Sequence, residues 1–240
     1  MEVKRLSILD GLRFVAILMV ILFHYYSRYC IPSYISYENV NTSYFEHGYL
    51  GVELFFIISG FVITLTLDKS KNFADFMKRR LIRLWPAMLL CSVLTFGFMH
   101  IFDDGDLFAK SKQFANLLVS NTFINPELFN NLFSTHLAYI DGAYWSLWVE
   151  ICFYFLVGGL FFIDKKNLQR NFFIVACALV SLHYMLTTKI GLALTTKYFS
   201  DDFITKVHDY VNVFKICQYV LWFFLGMQLL QLFKYKNIKT

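Results

Sequence analysis

Charge is scarce in this sequence. Charged residues make up 16% of the 240 positions, against roughly 25% in an ordinary soluble domain. The surface of a water-soluble fold needs more charge than this, so the composition argues against a soluble protein. A disordered chain is also excluded, because such a chain has low hydrophobicity, whereas 58% of these residues are hydrophobic.

Paired cysteines and the common nucleotide and metal motifs are lacking. The 5 cysteines are scattered singly, mostly within apolar runs, which argues against a disulfide-stapled scaffold. The 6 histidines show no H-x-x-x-H or H-x-x-E spacing, so no metal site is predicted. The nucleotide-binding pattern G-x-x-x-x-G-K-[ST] and the nucleophile pattern G-x-S-x-G are absent as well. We therefore expect no bound cofactor.

Long apolar runs are what the sequence has instead. Each of six runs is about long enough to cross a hydrocarbon core of roughly 30 Å. They are Leu6–Tyr26, Tyr49–Leu67, Leu84–Phe102, Trp145–Ile163, Phe172–Thr188 and Ile216–Phe233. The predicted fold class is all-α, a polytopic integral membrane bundle of about six helices. No linker or repeat divides it, so residues 1–240 are predicted to form a single domain.

The distribution of basic residues predicts the orientation. Of the 22 Lys and Arg residues, 15 fall on one predicted side of the membrane. These are Lys4, Arg5, Arg13, Lys69, Lys71, Lys78, Arg79, Arg80, Arg83, Lys165, Lys166, Arg170, Lys234, Lys236 and Lys239. Since cytoplasmic loops carry the excess of Lys and Arg, both termini are predicted to be cytoplasmic. The net charge of +5 is thereby explained without a nucleic-acid partner.

The longest predicted non-spanning stretch, residues 103–144, lies on the outer side. Within it, Phe114–Ile124 is apolar enough to lie at the membrane interface or to dip into the membrane, yet too short to cross it. The Asn125–Pro126 pair is predicted to end any such helix, because the residue before proline disfavours helical backbone angles.

Ionisable residues inside apolar helices are costly, so they are the first candidates for function. Asp10, Arg13 and His24 lie in the first run. Eleven residues at about 100° each place Arg13 and His24 on one helix face, separated by about 16 Å along the axis. A histidine can accept and return a proton near neutral pH. The alternative is that Arg13 extends to lipid headgroups and His24 is a packed or interfacial residue.

A second candidate is the basic cluster that precedes the third run. Arg80 and Arg83 are three residues apart and are therefore neighbours on a helix. Two guanidinium groups at this spacing suit a phosphate or diphosphate, which each can bind through two hydrogen bonds. The alternative is ordinary anchoring of a cytoplasmic helix end.

Two carboxylates are the third candidate. Glu150 lies about one turn inside the fourth run, after Trp145 and Ser146. Glu53 lies at the start of the second run. The spacing alone leaves open whether either residue is catalytic, a partner for an arginine, or a buried structural carboxylate.

Taken in order, these segments resemble the membrane-bound acyltransferase family 3, the O-acetylase type that modifies cell-surface carbohydrates. The segments that carry the resemblance are Leu9–Arg13 with His24, Gly51–Thr64, Arg79–Ala87, and Trp145–Glu150 with Phe153 and Tyr154. The resemblance runs in order along nearly the whole chain.

The resemblance implies an acyltransferase of the plasma, or inner, membrane. It implies transfer of an acyl group, commonly acetyl, from a cytoplasmic acyl-CoA donor to a hydroxyl of a carbohydrate or lipid-linked glycan. It assigns catalytic roles to His24, Arg13 and Glu150, and donor binding to Arg80 and Arg83. Asp10, Glu53, Trp145 and Ser146 support these motifs. His24 could act as a general base or as a transient acyl carrier.

Two departures from the family pattern bear on these expectations. Trp148 replaces a residue that is more often small, so we expect it to reshape the pocket near Glu150. The family fold has roughly ten spans and this chain has room for about six, so we expect C-terminal helices to be missing and the isolated chain to have little activity. A second chain could supply them.

The competing function is a non-catalytic membrane protein, a transporter-like or assembly partner.

Overall fold

The computed structural model describes residues 7–28, 42–105 and 108–239. These residues form helices and turns, and no strand occurs among them. The ten α-helices are α1 (Ser7–Phe23), α2 (Leu50–Thr66), α3 (Phe73–Phe102), α4 (Phe114–Ser120), α5 (Pro126–Phe133), α6 (Trp145–Ile163), α7 (Leu168–Thr187), α8 (Lys189–Thr195), α9 (Asp201–Phe214) and α10 (Ile216–Lys239). The predicted all-α fold class is confirmed.

Six helical segments in the described part of the chain are long and apolar enough to cross a membrane. They are Ser7–Arg28, Ser43–Lys69, Phe73–Phe102, Gly142–Ile163, Leu168–Thr187 and Ile216–Tyr235. The predicted number of spans is thus confirmed. The cytoplasmic location of the termini stays a prediction, and Lys4, Arg5 and Asp106 lie outside the described residues.

The third spanning helix begins earlier than the sequence predicts. Helix α3 starts at Phe73, whereas the apolar run starts at Leu84. The amide N–H of Asp75 donates to the side chain of Asn72 over 2.9 Å, which caps the helix. Arg80 and Arg83 therefore lie within a continuous helix and not in a loop before it.

Two short α-helices lie in the described part of residues 103–144, and the prediction about Asn125–Pro126 is wrong. Helix α4 already ends at Ser120. Asn125 is the N-cap of α5: its side chain accepts from the amide N–H of Glu127 over 3.0 Å. Pro126 occupies the first turn, where a missing N–H costs no hydrogen bond. The pair therefore begins a helix instead of ending one.

The chain forms two compact units. The first contains α1, α2 and the part of α10 that begins at Leu221; the second runs from Thr66 to Val220. In the second unit, α6 packs against α3, α7 and α9. The prediction of one domain over residues 1–240 stays a prediction.

Close glycine contacts hold the first unit together. A Cβ built on Gly51 would lie 2.5 Å from the Ala16 carbonyl oxygen, so α2 and α1 approach closely there. A Cβ on Gly60 would lie 2.1 Å from the Phe223 carbonyl oxygen. Small residues permit such backbone contact between membrane helices, where no hydrophobic effect drives association.

Candidate active site

Asp10 and Arg13 form an ion pair on α1. Arg13 Nη1 lies 3.1 Å from Asp10 Oδ1, at a spacing of one helical turn. Both side chains are part-exposed, at 30% for Arg13 and 41% for Asp10. The two predicted motif residues are thus brought together, and Asp10 holds the guanidinium of Arg13 near the start of the first span.

His24 lies where the regular α-helix ends. Helix α1 stops at Phe23, and His24–Arg28 form a π-helical segment, a local widening that often occurs at functional sites. His24 Nδ1 lies 2.8 Å from the Val20 carbonyl oxygen. A carbonyl only accepts, so Nδ1 carries the proton in this contact. In the neutral ring the lone pair is then on Nε2, the nitrogen that can act as a base.

Glu53 lies in the first turn of α2 and is half-buried. It follows Gly51, the glycine at which α2 touches α1. This contact meets α1 at Ala16, between Arg13 and His24 along the chain. The motif glycine therefore keeps α2 close to the helix that carries both predicted catalytic residues.

Arg80 is a half-buried cation of the second unit. Its Nη2 donates to the hydroxyl of Thr66, and its guanidinium carbon lies 5.4 Å from the centroid of the Phe76 ring. The hydroxyl holds one nitrogen of the guanidinium group, and the Phe76 ring lies against the guanidinium carbon. Arg80 Nε is buried and has no hydrogen-bond partner among the residues that the structure describes.

Arg83 and Arg79 differ from Arg80. Arg83 is exposed and lies one helical turn further along α3, where its charge repels that of Arg80. Arg79 Nε donates to Asp75 Oδ1 over 3.0 Å, so its charge is already matched. The predicted pair Arg80 and Arg83 therefore forms one cationic edge of α3, while Arg79 has a local partner.

Glu150 interacts with both Tyr154 and Arg80. The hydroxyl of Tyr154, one turn along α6, donates to Glu150 Oε1 over 2.7 Å. The carboxylate of Glu150 attracts the guanidinium of Arg80. The structure thus brings two predicted site residues, Glu150 and Arg80, into one cluster. Arg13 and His24 belong to the other unit.

Trp145 and Ser146 lie at the start of α6. The Trp145 ring stacks against Tyr219 at a centroid distance of 5.3 Å, and Lys215 Nζ lies 5.1 Å from the Trp145 centroid. Ser146 Oγ donates to the Ala143 carbonyl over 3.1 Å. Both residues therefore lie at the entry of α6, and their supporting role stays a prediction.

Trp148 packs against the end of α9. Its indole Nε1 donates to the Val213 carbonyl over 2.9 Å, at the end of α9. Two residues at about 100° each separate it from Glu150 by more than half a turn. Trp148, Cys152 and Phe155 instead help line an apolar cavity of about 420 Å³. The expectation that Trp148 reshapes the surroundings of Glu150 is not supported by these contacts.

Thr66, Phe76 and Tyr154 also belong to this cluster, although the sequence assigned no site role to them and only Tyr154 stood in a motif segment. Tyr154 was within reach, because it lies four residues after Glu150 and so on the same helix face. Thr66 precedes Arg80 by 14 residues across a turn, and no local pattern signals that contact. Among the described residues, no group of three or more His, Cys, Asp or Glu side chains could hold a metal ion.

Comparison with known proteins adds a family match over nearly the whole chain. A family model described as an acyltransferase domain matches residues 6–239. No solved structure matches the chain.

Several named proteins are similar in sequence. An O-acetyl transferase of Shigella phage Sf6 is 31% identical over 176 residues, which is 72% of this chain and 50% of that protein. The O-acetyltransferase OatA of Staphylococcus aureus is 32% identical over 197 residues, or 74% of this chain and 29% of that protein. A Bacillus subtilis protein, provisionally named peptidoglycan O-acetyltransferase YrhL, is 31% identical over 183 residues, or 66% and 25%. The chain thus spans half or less of each relative's length.

Proposed function

This chain belongs to acyltransferase family 3, and from that premise we propose that it is a membrane-bound O-acyltransferase. The proposed donor is a cytoplasmic acyl-CoA, with acetyl as the acyl group. The proposed acceptor is a hydroxyl of a cell-surface carbohydrate or lipid-linked glycan, in the plasma membrane. The observation that carries the proposal is the match over residues 6–239, supported by relatives named O-acetyltransferases.

Donor binding is assigned to Arg80 and Arg83. CoA carries several phosphate groups, and guanidinium groups bind phosphate through paired hydrogen bonds. Arg80 is held in one orientation by Thr66 and Phe76, so less side-chain entropy is lost when a phosphate binds. Arg83 adds a second charge one turn along the helix.

The reactive atom is assigned to Nε2 of His24, because Nδ1 donates to the Val20 carbonyl. As a general base, Nε2 takes the proton of the acceptor hydroxyl while the hydroxyl oxygen attacks the acyl carbonyl. The CoA thiolate leaves and receives that same proton from Nε2. As an acyl carrier, the same Nε2 attacks the acyl carbonyl and the CoA thiolate leaves. The acceptor hydroxyl then takes the acyl group from Nε2, and its proton passes to the CoA thiolate. The catalytic roles of Arg13 and Glu150 stay predictions from the sequence.

The proposal is tested with isolated membranes from the cells that make this protein. Radiolabelled acetyl-CoA should label a surface glycan in membranes that contain the protein. Membranes from cells that lack only its gene should not label that glycan, and restoring the gene should restore the label. Equal labelling with and without the gene would contradict the proposed activity, and binding of acetyl-CoA without transfer would favour a non-catalytic role.

A further inference from the structure

Tyr154 lies between two ionisable residues that the proposed function uses. It is 3% exposed, and its hydroxyl donates to Glu150 Oε1 over 2.7 Å. Its ring meets the Phe76 ring edge to face at 6.2 Å. The guanidinium carbon of Arg80 lies 5.4 Å from the centroid of that same Phe76 ring. One side chain therefore contacts Glu150 directly and reaches Arg80 through a single ring.

The hydroxyl and the ring of Tyr154 have separate consequences. The terminal torsion of a glutamate side chain has broad minima, so packing alone orients its carboxylate poorly. A hydrogen bond to a charged carboxylate is short and directional and holds one oxygen in place. The ring acts differently, because it packs against Phe76, and Phe76 supports the face of the Arg80 guanidinium.

Arg80 depends on this support more than an ordinary arginine does. Its Nε is buried without a hydrogen bond to any described residue. The hydroxyl of Thr66 holds only Nη2, which leaves the guanidinium plane to be set by the Phe76 ring. A displaced Phe76 would therefore rotate the group proposed to bind the donor.

We propose that Tyr154 is a positioning residue for acyl transfer, whose hydroxyl orients the Glu150 carboxylate and whose ring supports Arg80 through Phe76. The assignment rests on the proposed function. It deepens that function by giving two parts of one side chain separate roles. The hydroxyl serves turnover through Glu150, and the ring serves donor binding through Arg80. Phenylalanine at position 154 separates the two roles, because it keeps the ring and removes only the oxygen.

The kinetic test uses Tyr154→Phe in membranes that contain the full protein. The maximal rate of acyl transfer per amount of protein should fall about 10-fold, as expected for the loss of one hydrogen bond to a charged group. The KM for the acyl donor should stay within about twofold, because the ring beneath Arg80 is kept. An unchanged rate, or a donor KM that rises as steeply as the rate falls, would overturn the proposal.

Tyr139→Phe is the matched control. The Tyr139 hydroxyl is also buried, but it makes no hydrogen bond to any residue within the described ranges. Its removal should leave the maximal rate and the donor KM unchanged. An equal loss of rate in both variants would mean that any buried hydroxyl in this unit matters, and the specific role of Tyr154 would be refuted.

Infrared spectroscopy supplies a readout that does not require turnover. The carboxylate band of Glu150 can be assigned by its disappearance in Glu150→Gln. That band should shift in Tyr154→Phe and keep its position in Tyr139→Phe, and an unshifted band in Tyr154→Phe would refute the positioning role. If the wild-type protein transfers no acyl group, the proposed function fails, and the band still decides whether Tyr154 orients Glu150.

Discussion

At the scale of single residues, the hydrogen bond of His24 to its own helix has the clearest chemical consequence. Nδ1 donates to the carbonyl four residues earlier, which leaves the lone pair on Nε2 in the neutral ring. A backbone carbonyl does not move away when a proton is transferred. The contact therefore favours the tautomer with the proton on Nδ1 and the lone pair on Nε2, which the proposed general base requires.

His24→Gln should lower acyl transfer by at least about 10²-fold, because glutamine forms hydrogen bonds but cannot take up and return a proton near neutral pH. Donor binding should be retained, since the proposed phosphate contacts are on α3. His100→Gln is the control, because His100 Nδ1 makes the same bond to the Phe96 carbonyl, over 2.9 Å. Label transfer and CoA binding are measured on the same membranes. A His24→Gln protein with the wild-type rate would reduce His24 to a packing residue.

The arginine assignment makes a graded prediction. Arg80→Lys and Arg83→Lys keep the positive charge but lose the bidentate hydrogen bonding of a guanidinium group. Each should therefore weaken CoA binding without abolishing it. Alanine at both positions should weaken binding much further. Arg79→Lys should have little effect, because Arg79 already pairs with Asp75. Equilibrium binding of labelled CoA measures all four variants. Wild-type affinity in the double alanine variant would make the pair a topological anchor only.

At the scale of helices, apolar runs predict the spans well and the ends of helices less well. Trp145–Ile163 has the predicted bounds, whereas α3 begins eleven residues before its apolar run. Hydropathy detects only the apolar part of a helix, the part that can lie in the hydrocarbon core. It does not detect the first turns of α3, because they carry charged residues. Asn72 with Asp75 was the available signal, since a polar cap and an early acid mark helix starts.

The site follows the same division. Arg80 with Arg83, and Asp10 with Arg13, are neighbours by local helical spacing, which the sequence displays directly. The contacts of Arg80 with Thr66 and of Trp148 with Val213 join residues that are distant in sequence. Such contacts depend on how the helices pack against one another, and no local pattern in a single sequence predicts that packing.

Helix packing in the first unit makes a prediction about glycines. A Cβ at Gly60 would meet the Phe223 carbonyl oxygen at 2.1 Å, and one at Gly226 would meet the Ile57 carbonyl oxygen at 2.0 Å. Because both obstacles are backbone atoms, α2 and α10 would have to separate. Gly60→Ala should therefore destabilise the protein by about 1–3 kcal/mol.

Gly97→Ala on α3 is the matched control, because a Cβ there has no atom of a neighbouring element within 4 Å. Alanine in an open helical position should be neutral or stabilising by up to about 1 kcal/mol. Thermal unfolding in detergent compares the two variants. Equal unfolding temperatures would contradict the close contact of α2 with α10.

At the scale of the whole molecule, orientation in the membrane links the charge distribution to the donor. The excess of Lys and Arg predicts that the turn between α2 and α3 faces the cytoplasm, where acyl-CoA is proposed to bind. A cysteine introduced at Lys71, an exposed residue of that turn, should react with an impermeant thiol reagent only after the cells are permeabilised. A cysteine at Asp104 should react in intact cells. Labelling of position 71 in intact cells, with position 104 protected, would show that the predicted orientation is wrong.

The most direct test of the central claim is the sidedness of acyl transfer in sealed vesicles. Labelled acetyl-CoA, which does not cross a bilayer, is added outside inverted vesicles and outside right-side-out vesicles of the same membranes. The account predicts that glycan is labelled in the inverted vesicles, and that this label is lost in those carrying His24→Gln. Right-side-out vesicles should remain unlabelled. Labelling that requires the protein but occurs in right-side-out vesicles, or labelling that survives His24→Gln, would contradict the account.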